Sequence, residues 1–515
     1  MSSSPNVALS GATDLPVRDR AKTCAPARNA TIQYLRALAA ASVLLHHASI
    51  ADGRFAVYGV SLFFAISGYL MSDLVRSTDP WRFLSHRVVR IYPIFFLMVG
   101  FSFILSRILG SPFTFDALAV TLAPVGLRSY SLGGIEWTLV FEVTYYTALF
   151  LIACAKLQRH LELIAIGWIG VIVGSALLFP SLEGLYLPVH VLFLAPANLA
   201  FAGGLLLPSL ISRGYLPRAG VLLVLPIALA YDFVDLGTNR MLSGVAAVLV
   251  VGWAAQRKAH AAPSADNGLL RLGDWSYALY LCHVPVIQAV VQLWPTRLQE
   301  LNPQWFAAGA AFLLVLLFGP LDVALYRKLR SLADAAHPRT IRVTVSAFLA
   351  AFLALTVYGS ASSILDEIQN RRIRSTLNQL GPTAMTSPDA ASARIAATRL
   401  ALPASFQGAF ERIDALPDGR VIFRGWALSA DDPSEDIKIR VFCGGREVEV
   451  ERYQRKMRPD IARSLGREDA ASRRIGFTAF ASRRGCPDGA QAFVIAFDEL
   501  GKAAVLPGVH DPESR

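Results

Sequence analysis

The sequence predicts a polytopic α-helical membrane protein followed by a small all-β domain, and three observations carry that prediction. Hydrophobic residues make up 54% of the 515 and charged residues 17%, against about a quarter charged in an ordinary globular chain. Charge is also unevenly spread, with 43 charged residues in 1–365 and 44 in 366–515, so water solvates the second part and not the first. Apolar runs of bilayer-crossing length recur through the first part and give way to short β-rich runs in the second. This composition excludes a disordered chain, and five Cys are too few for a disulfide-stapled one. Of the net charge of +11, +9 lies in the membrane part, which suits orientation in a bilayer and not a nucleic-acid partner.

Residues 1–30 are polar and end in a basic stretch. No small-x-small cleavage site follows within a short apolar region, so they read as a cytoplasmic tail before an uncleaved first span. About 20 apolar residues cross a ~30 Å core, which places eleven spans near 31–50, 57–75, 91–109, 138–155, 162–179, 188–207, 219–234, 241–256, 275–294, 304–326 and 342–365. With the N-terminus in the cytoplasm, the segments on that side carry twenty Lys and Arg. The other side carries Arg54, Arg107, Arg128, Arg240 and Arg297, and this bias predicts residues 366–515 outside the cytoplasm. Residues 331–365 form a basic loop and the eleventh span, and 366–404 read as a linker, Ala/Ser/Thr/Pro-rich from 375. Runs such as Val421–Phe423, Ile437–Phe442, Glu447–Val450 and Ala492–Phe497 predict a small β-sandwich over 405–515. Cys443 and Cys486, 43 residues apart, suit a disulfide in an oxidising compartment, whereas Cys24, Cys154 and Cys282 read as inert thiols.

Ionisable groups inside spans are costly and mark function by default. Arg36 and His47 are eleven residues apart, which puts them on one helix face about 16 Å apart along the axis. They can hold the two ends of one long ligand; the bland alternative is an Arg snorkelling to headgroups and a packing histidine. Arg87 and Arg90, spaced i,i+3 at a membrane surface, have the fork geometry that phosphates favour, or simply anchor the chain to anionic lipid. Glu142, over a turn inside the fourth span, must be paired, protonated or catalytic. Ser67 lies in a span of small residues that permit close helix contact. Tyr277, Tyr280 and His283 follow one another at i,i+3, and interfacial anchoring explains the tyrosines but not the deeper imidazole.

Together, Tyr34-Leu35-Arg36 with His47, the Phe-Phe-x-x-Ser-Gly span ending at Ser67-Gly68, Arg87 with Arg90-Ile91-Tyr92-Pro93, Trp137-x4-Glu142-x2-Tyr145 and Ser276-Tyr277-x2-Tyr280-Leu281-x-His283 resemble the acyltransferase-3 family of bacterial membrane O-acyltransferases. They occur in the family's order over residues 30–330. The resemblance implies a ten-helix acyltransferase core at 31–330, in the bacterial inner membrane, moving an acyl group, usually acetyl, from cytoplasmic acyl-CoA to a hydroxyl of a cell-envelope glycan or glycolipid. It implies no bound cofactor and no metal; acyl-CoA is a substrate. His47 is then the general base or acyl carrier, and Glu142 its partner or an acceptor ligand. Arg36, Arg87 and Arg90 hold acyl-CoA, and Trp137, Tyr145, Tyr277, Tyr280, His283 and Ser67 bind the acceptor or line the pocket. Ser61 stands where many relatives carry Asp, which removes an acidic role there. The tail resembles small β-sandwich modules through Gly425-Trp426-Ala427-Leu428 and Arg458-Pro459-Asp460-Ile461-Ala462; His510 is its one histidine. The rival readings are a transporter of acyl groups or glycolipid and a cell-envelope scaffold.

Overall fold

Short polar side chains at the loop ends start half of the α-helices. Asn29 accepts from the backbone N–H groups of Thr31 and Ile32 to begin α1 (Ala30–His47). Asp52 caps α2 (Gly53–Ser77), and Asp79, with Pro80 behind it, caps α3 (Pro80–Ile108). These caps satisfy backbone donors that a helix leaves open at its N-terminus. The computed structural model describes residues 29–508 except 111–112, 114, 127–130, 179–186, 258–266, 299–300, 404, 416–419, 430–431, 433–434, 436, 471–474, 483–484 and 487–490. The polar tail, with Cys24, and His510 lie outside the described residues. Two compact units divide after Ser360.

The first unit continues with α4 (Trp137–Cys154), α5 (Leu161–Leu178), α6 (Val189–Leu192), α7 (Asn198–Ser212), α8 (Val224–Leu229), α9 (Leu236–Ala255), α10 (Gly268–Gln292), α11 (Pro303–Ala335) and the start of α12 (Pro338–Leu380). Among the described residues, seven helices are long and apolar enough to cross a membrane, namely α2, α3, α4, α5, α9, α11 and α12. They coincide with seven of the eleven expected spans, and the other four fall short in length or hydropathy. The helices α1 and α10 are long but carry Arg36, His46 and His47, and Arg271, Asp274 and His283, which lower their hydropathy. The run expected to span 188–207 breaks into the four-residue α6 and the 15-residue α7, and 219–234 becomes a 3-10 turn and the six-residue α8. Pro196 sits between α6 and α7 and Pro226 lies within α8, and a proline removes a backbone donor.

Helices α1, α2, α3, α4, α7, α9, α10 and α11 surround one apolar core, with α1 between α2 and α10, and α11 between α10 and α3. Helices α2 and α7 cross closely. A Cβ at Gly68 would collide with the backbone of Phe201, and one at Gly204 with the backbone of Ala65. Small residues at both positions let the backbones meet. Gly204→Ala is expected to destabilise the unit by about 1–3 kcal/mol, the usual cost of overpacking. Thermal unfolding of the detergent-solubilised protein reads it as a lowered midpoint; an unchanged midpoint would mean that the two helices separate at no cost.

The second unit is a β-sandwich with a helical cover. Strands β1 (Phe406–Ala415), β2 (Arg420–Ser429), β3 (Lys438–Cys443), β4 (Arg446–Glu447), β5 (Val450–Lys456), β6 (Gly476–Ser482), β7 (Ala492–Phe497) and β8 (Ala503–Val505) form two antiparallel sheets, ordered β1-β2-β6-β5 and β4-β3-β7-β8. Phe410, Phe423 and Phe477 from one sheet meet Ile439, Val441 and Val494 from the other in the core. The expected linker at 366–404 is instead structured. The end of α12, a 3-10 turn and α13 (Pro388–Ala396) bury Ile373, Leu380, Met385 and Ile395 against Phe442, Phe493, Ile495 and Phe497 on the outer face of the second sheet. Cover on both faces explains why all six residues of β7 are buried, an unbroken apolar run instead of an alternating one. The helix α14 (Pro459–Ser464) follows Arg458, which joins Glu411 at 2.7 Å to Asp460 at 2.8 Å and whose guanidinium these two carboxylates hold more firmly protonated than usual.

Cys443 and Cys486 form a disulfide with Cα atoms 5.4 Å apart. Closing so long a loop stabilises by about 2–4 kcal/mol. Replacing both cysteines with alanine is expected to lower the temperature at which this unit becomes protease-sensitive in the full chain, and an unmoved temperature would show that the sandwich does not need the bond.

Candidate active site

Two clefts lie along the same four helices. The first, with ≈ 900 Å³ of space partly open to solvent, is lined by Arg36 of α1, Ser67 and Met71 of α2, Arg87 and Arg90 of α3, Glu142 and Tyr146 of α4, and Ser276 and Tyr277 of α10. The second, ≈ 1050 Å³, is lined by His46 and His47 of α1, Val57 and Ser61 of α2, Gly133 to Ile135 and Trp137 at the head of α4, and Tyr231 and Arg240. Each helix steps from one cleft to the other: α1 from Arg36 to His47, α2 from Ser61 to Ser67, α4 from Trp137 to Glu142. Val60, Phe64 and Tyr280 line both. The Arg36–His47 face expected from helix periodicity is therefore real, but its two ends open into different spaces.

In the first cleft the cations differ in how they are compensated. Arg90 donates two hydrogen bonds to Asp322 of α11, at 2.8 and 2.9 Å, and lies over the rings of Tyr277 and Tyr326 at 4.9 and 5.3 Å. Arg87 lies over the Tyr146 ring at 5.7 Å and its buried Nε has no hydrogen-bond partner. Among the described residues, neither Arg36 nor Arg87 forms an ion pair, so three guanidiniums share the cleft with one carboxylate, Glu142, and only Arg90 is bound to an acid. Glu142 accepts a hydrogen bond from the Tyr146 hydroxyl one turn along, and Ser67 Oγ lies 3.3 Å from that hydroxyl.

In the second cleft His47 is exposed, and its tautomer follows from its partners. His283 Nδ1 is 2.7 Å from the carbonyl of Tyr280 and must donate to it, so His283 Nε2 carries a lone pair. His47 Nδ1 lies 2.9 Å from the Val43 carbonyl and 3.2 Å from that His283 nitrogen, both acceptors, and so carries the proton. The remaining nitrogen of His47, Nε2, is left with a lone pair, the form a general base needs. Ser61 Oγ, on the cleft wall, is 2.8 Å from the buried Ser243 Oγ.

Three expected placements change. Glu142 lies in the arginine cleft and not beside His47, because α4 turns it towards α3 while His47 faces α10. His283 is 1% exposed and lines neither cleft; it stands behind His47. Tyr145 also lines neither, being stacked on Phe201 at 4.0 Å with its hydroxyl donating to Asn198 at 2.6 Å. Arg36, Arg87, Arg90, Ser67, Tyr277, Tyr280, Trp137 and His47 do line the two clefts. Sequence reasoning missed Asp322, although a carboxylate in the 304–326 run carried the same signal as Glu142.

The family model described as an acyltransferase domain matches residues 29–321, more than half of the chain and every residue lining the two clefts. The chain belongs to the acyltransferase-3 family. With its membrane-length helices it is a membrane acyltransferase, and the two-sheet unit is a β module added after the matched region. No curated protein and no solved structure matches the chain.

Proposed function

We propose that this acyltransferase moves an acetyl group from acyl-CoA, bound in the arginine cleft, to a hydroxyl of a cell-envelope glycan or glycolipid presented in the His47 cleft. The observation that carries the reading is the pairing of two clefts on one set of helices, one with two guanidiniums outside any ion pair and the other with an imidazole lone pair. In this reading the arginine cleft faces the cytoplasm of a bacterial inner membrane and the β module lies outside it, as the Lys/Arg bias favours.

Arg36 and Arg87 hold the phosphates of acyl-CoA. Arg90 is neutralised by Asp322 and shapes the wall with Tyr277. The pantetheine arm then runs along the ~16 Å of α1 that separates Arg36 from His47. His47 Nε2 takes the proton of the acceptor hydroxyl as its oxygen attacks the thioester carbonyl carbon. The C–S bond breaks, the ester forms, and the imidazolium returns the proton to the departing thiolate as CoA–SH. His283 Nε2, accepting from His47 Nδ1, holds the ring in the required tautomer and stabilises the imidazolium; it is a positioning residue. Trp137 offers a flat apolar face to a sugar ring, and Arg240 lies on the same cleft.

The test is thioester loss from acetyl-CoA by purified full-length protein, with and without a polysaccharide fraction from the expressing cells, for wild type and His47→Ala. Consumption that requires both His47 and polysaccharide supports the reading. Equal consumption by the two proteins overturns the catalytic role, and acyl-CoA binding without any consumption favours a transporter.

A further inference from the structure

The two clefts meet at a wall whose residues are Val60, Phe64 and Tyr280. Phe64 is 5% exposed and held on three sides, with ring centroids 6.1 Å from Trp137, 5.6 Å from Tyr145 and, in parallel stacking, 6.0 Å from Phe141. Tyr280 is 6% exposed, and its hydroxyl lies 2.8 Å from Thr138 Oγ1 and 3.1 Å from the Ile135 carbonyl, which ties α10 to the head of α4. Val60 is only half-buried, and its β-branched side chain has few rotamers to move into. Two sides of the wall are thus locked aromatic rings, and the third is a stiff aliphatic one.

We propose that Val60, Phe64 and Tyr280 form a constriction which the acyl end of the thioester passes on its way to His47, and that it selects the acyl group by its width. The proposal rests on the two-cleft transfer described above and adds the specificity of that step. The acyl carbons lead the thioester into the wall, and beyond it ≈ 350 Å³ of the His47 cleft has room for water-sized groups and the cleft opens to solvent, which takes a short linear chain. Length is therefore not what the passage limits. A branch on the carbon next to the carbonyl widens the group at the point where it must fit between Val60 and two fixed rings, whereas a linear chain adds no width. The wall discriminates butyryl from isobutyryl, two groups of identical composition.

The experiment follows thioester loss from acetyl-, butyryl- and isobutyryl-CoA by the full-length protein in detergent, with the same polysaccharide fraction as acceptor. Wild type is expected to consume butyryl-CoA faster than isobutyryl-CoA by about tenfold or more, the discrimination a close-fitting apolar site achieves for one misplaced carbon. Val60→Ala is expected to raise the isobutyryl-to-butyryl ratio by about the same factor, and Val60→Ile to lower it. Phe64→Leu opens the facing side and provides a second route to the widened wall should Val60→Ala fail to fold. Equal use of the two isomers by wild type, or a ratio that none of the folded variants moves while consumption still depends on His47, overturns the constriction and leaves the transferase reading standing. Absence of His47-dependent consumption with every thioester overturns both.

Discussion

Replacing His47 with alanine is expected to lower acyl transfer by about 10²–10⁴-fold, the usual contribution of a positioned acid–base group, with acyl-CoA still bound. The expectation follows from where the two ends of α1 lie. Arg36 and Arg87 sit in the arginine cleft, so removing an imidazole from the other cleft leaves the proposed phosphate contacts in place. Equilibrium binding of acetyl-CoA to both proteins checks the first half, and initial rates check the second. The His283→Asn variant sharpens the assignment. An asparagine keeps a polar group behind His47 but loses the aromatic nitrogen 3.2 Å from Nδ1, so kcat should fall by less than in His47→Ala and KM for acyl-CoA should stay near wild type. A variant at His283 that raises KM without touching kcat would place the residue in donor binding instead.

Asp322→Ala is expected to destabilise the membrane unit by about 3–5 kcal/mol, because it leaves a buried guanidinium without its charge partner. The side chains of Asp322 and Arg90 are 2% and 19% exposed, and the two hydrogen bonds between them run across α3 and α11. The double variant Arg90→Met/Asp322→Leu, which removes both charges, should recover most of that loss, since an apolar pair of similar volume avoids the desolvation cost. Thermal unfolding in detergent reads both. If the single and double variants unfold together, the pair is not what holds α3 against α11. Acyl transfer need not follow stability here, since Arg90 also forms the wall beside Tyr277.

Much of this was legible without coordinates where the physics is local. Apolar runs of membrane length, the change of period near the C-terminal unit and the shared face of Arg36 and His47 all depend on spacing along one chain segment. The cost of a carboxylate in an apolar run marked Glu142 as unusual, and the structure gives it a local partner, Tyr146 at i+4. What spacing did not carry was which helix stands beside which. His47 meets His283, 236 residues away, instead of Glu142, and Arg90 meets Asp322, 232 residues away. Residues 366–404 looked like a linker because Ala, Ser, Thr and Pro have no strong period, yet their few apolar side chains cover a sheet.

The division follows from the range of the forces involved. Hydrophobicity, helix periodicity and the penalty on buried charge act within a segment, so composition and order along the chain were enough to establish a membrane core, a β module and the ionisable side chains that line the clefts. The separation of that chemistry into two clefts depends on Val60 and Phe64 of α2 and Tyr280 of α10 meeting between the ends of α1. That wall exists only once α2 and α10 pack beside α1, because α2 contributes two residues to it and α10 one, and none of them is unusual in its own segment.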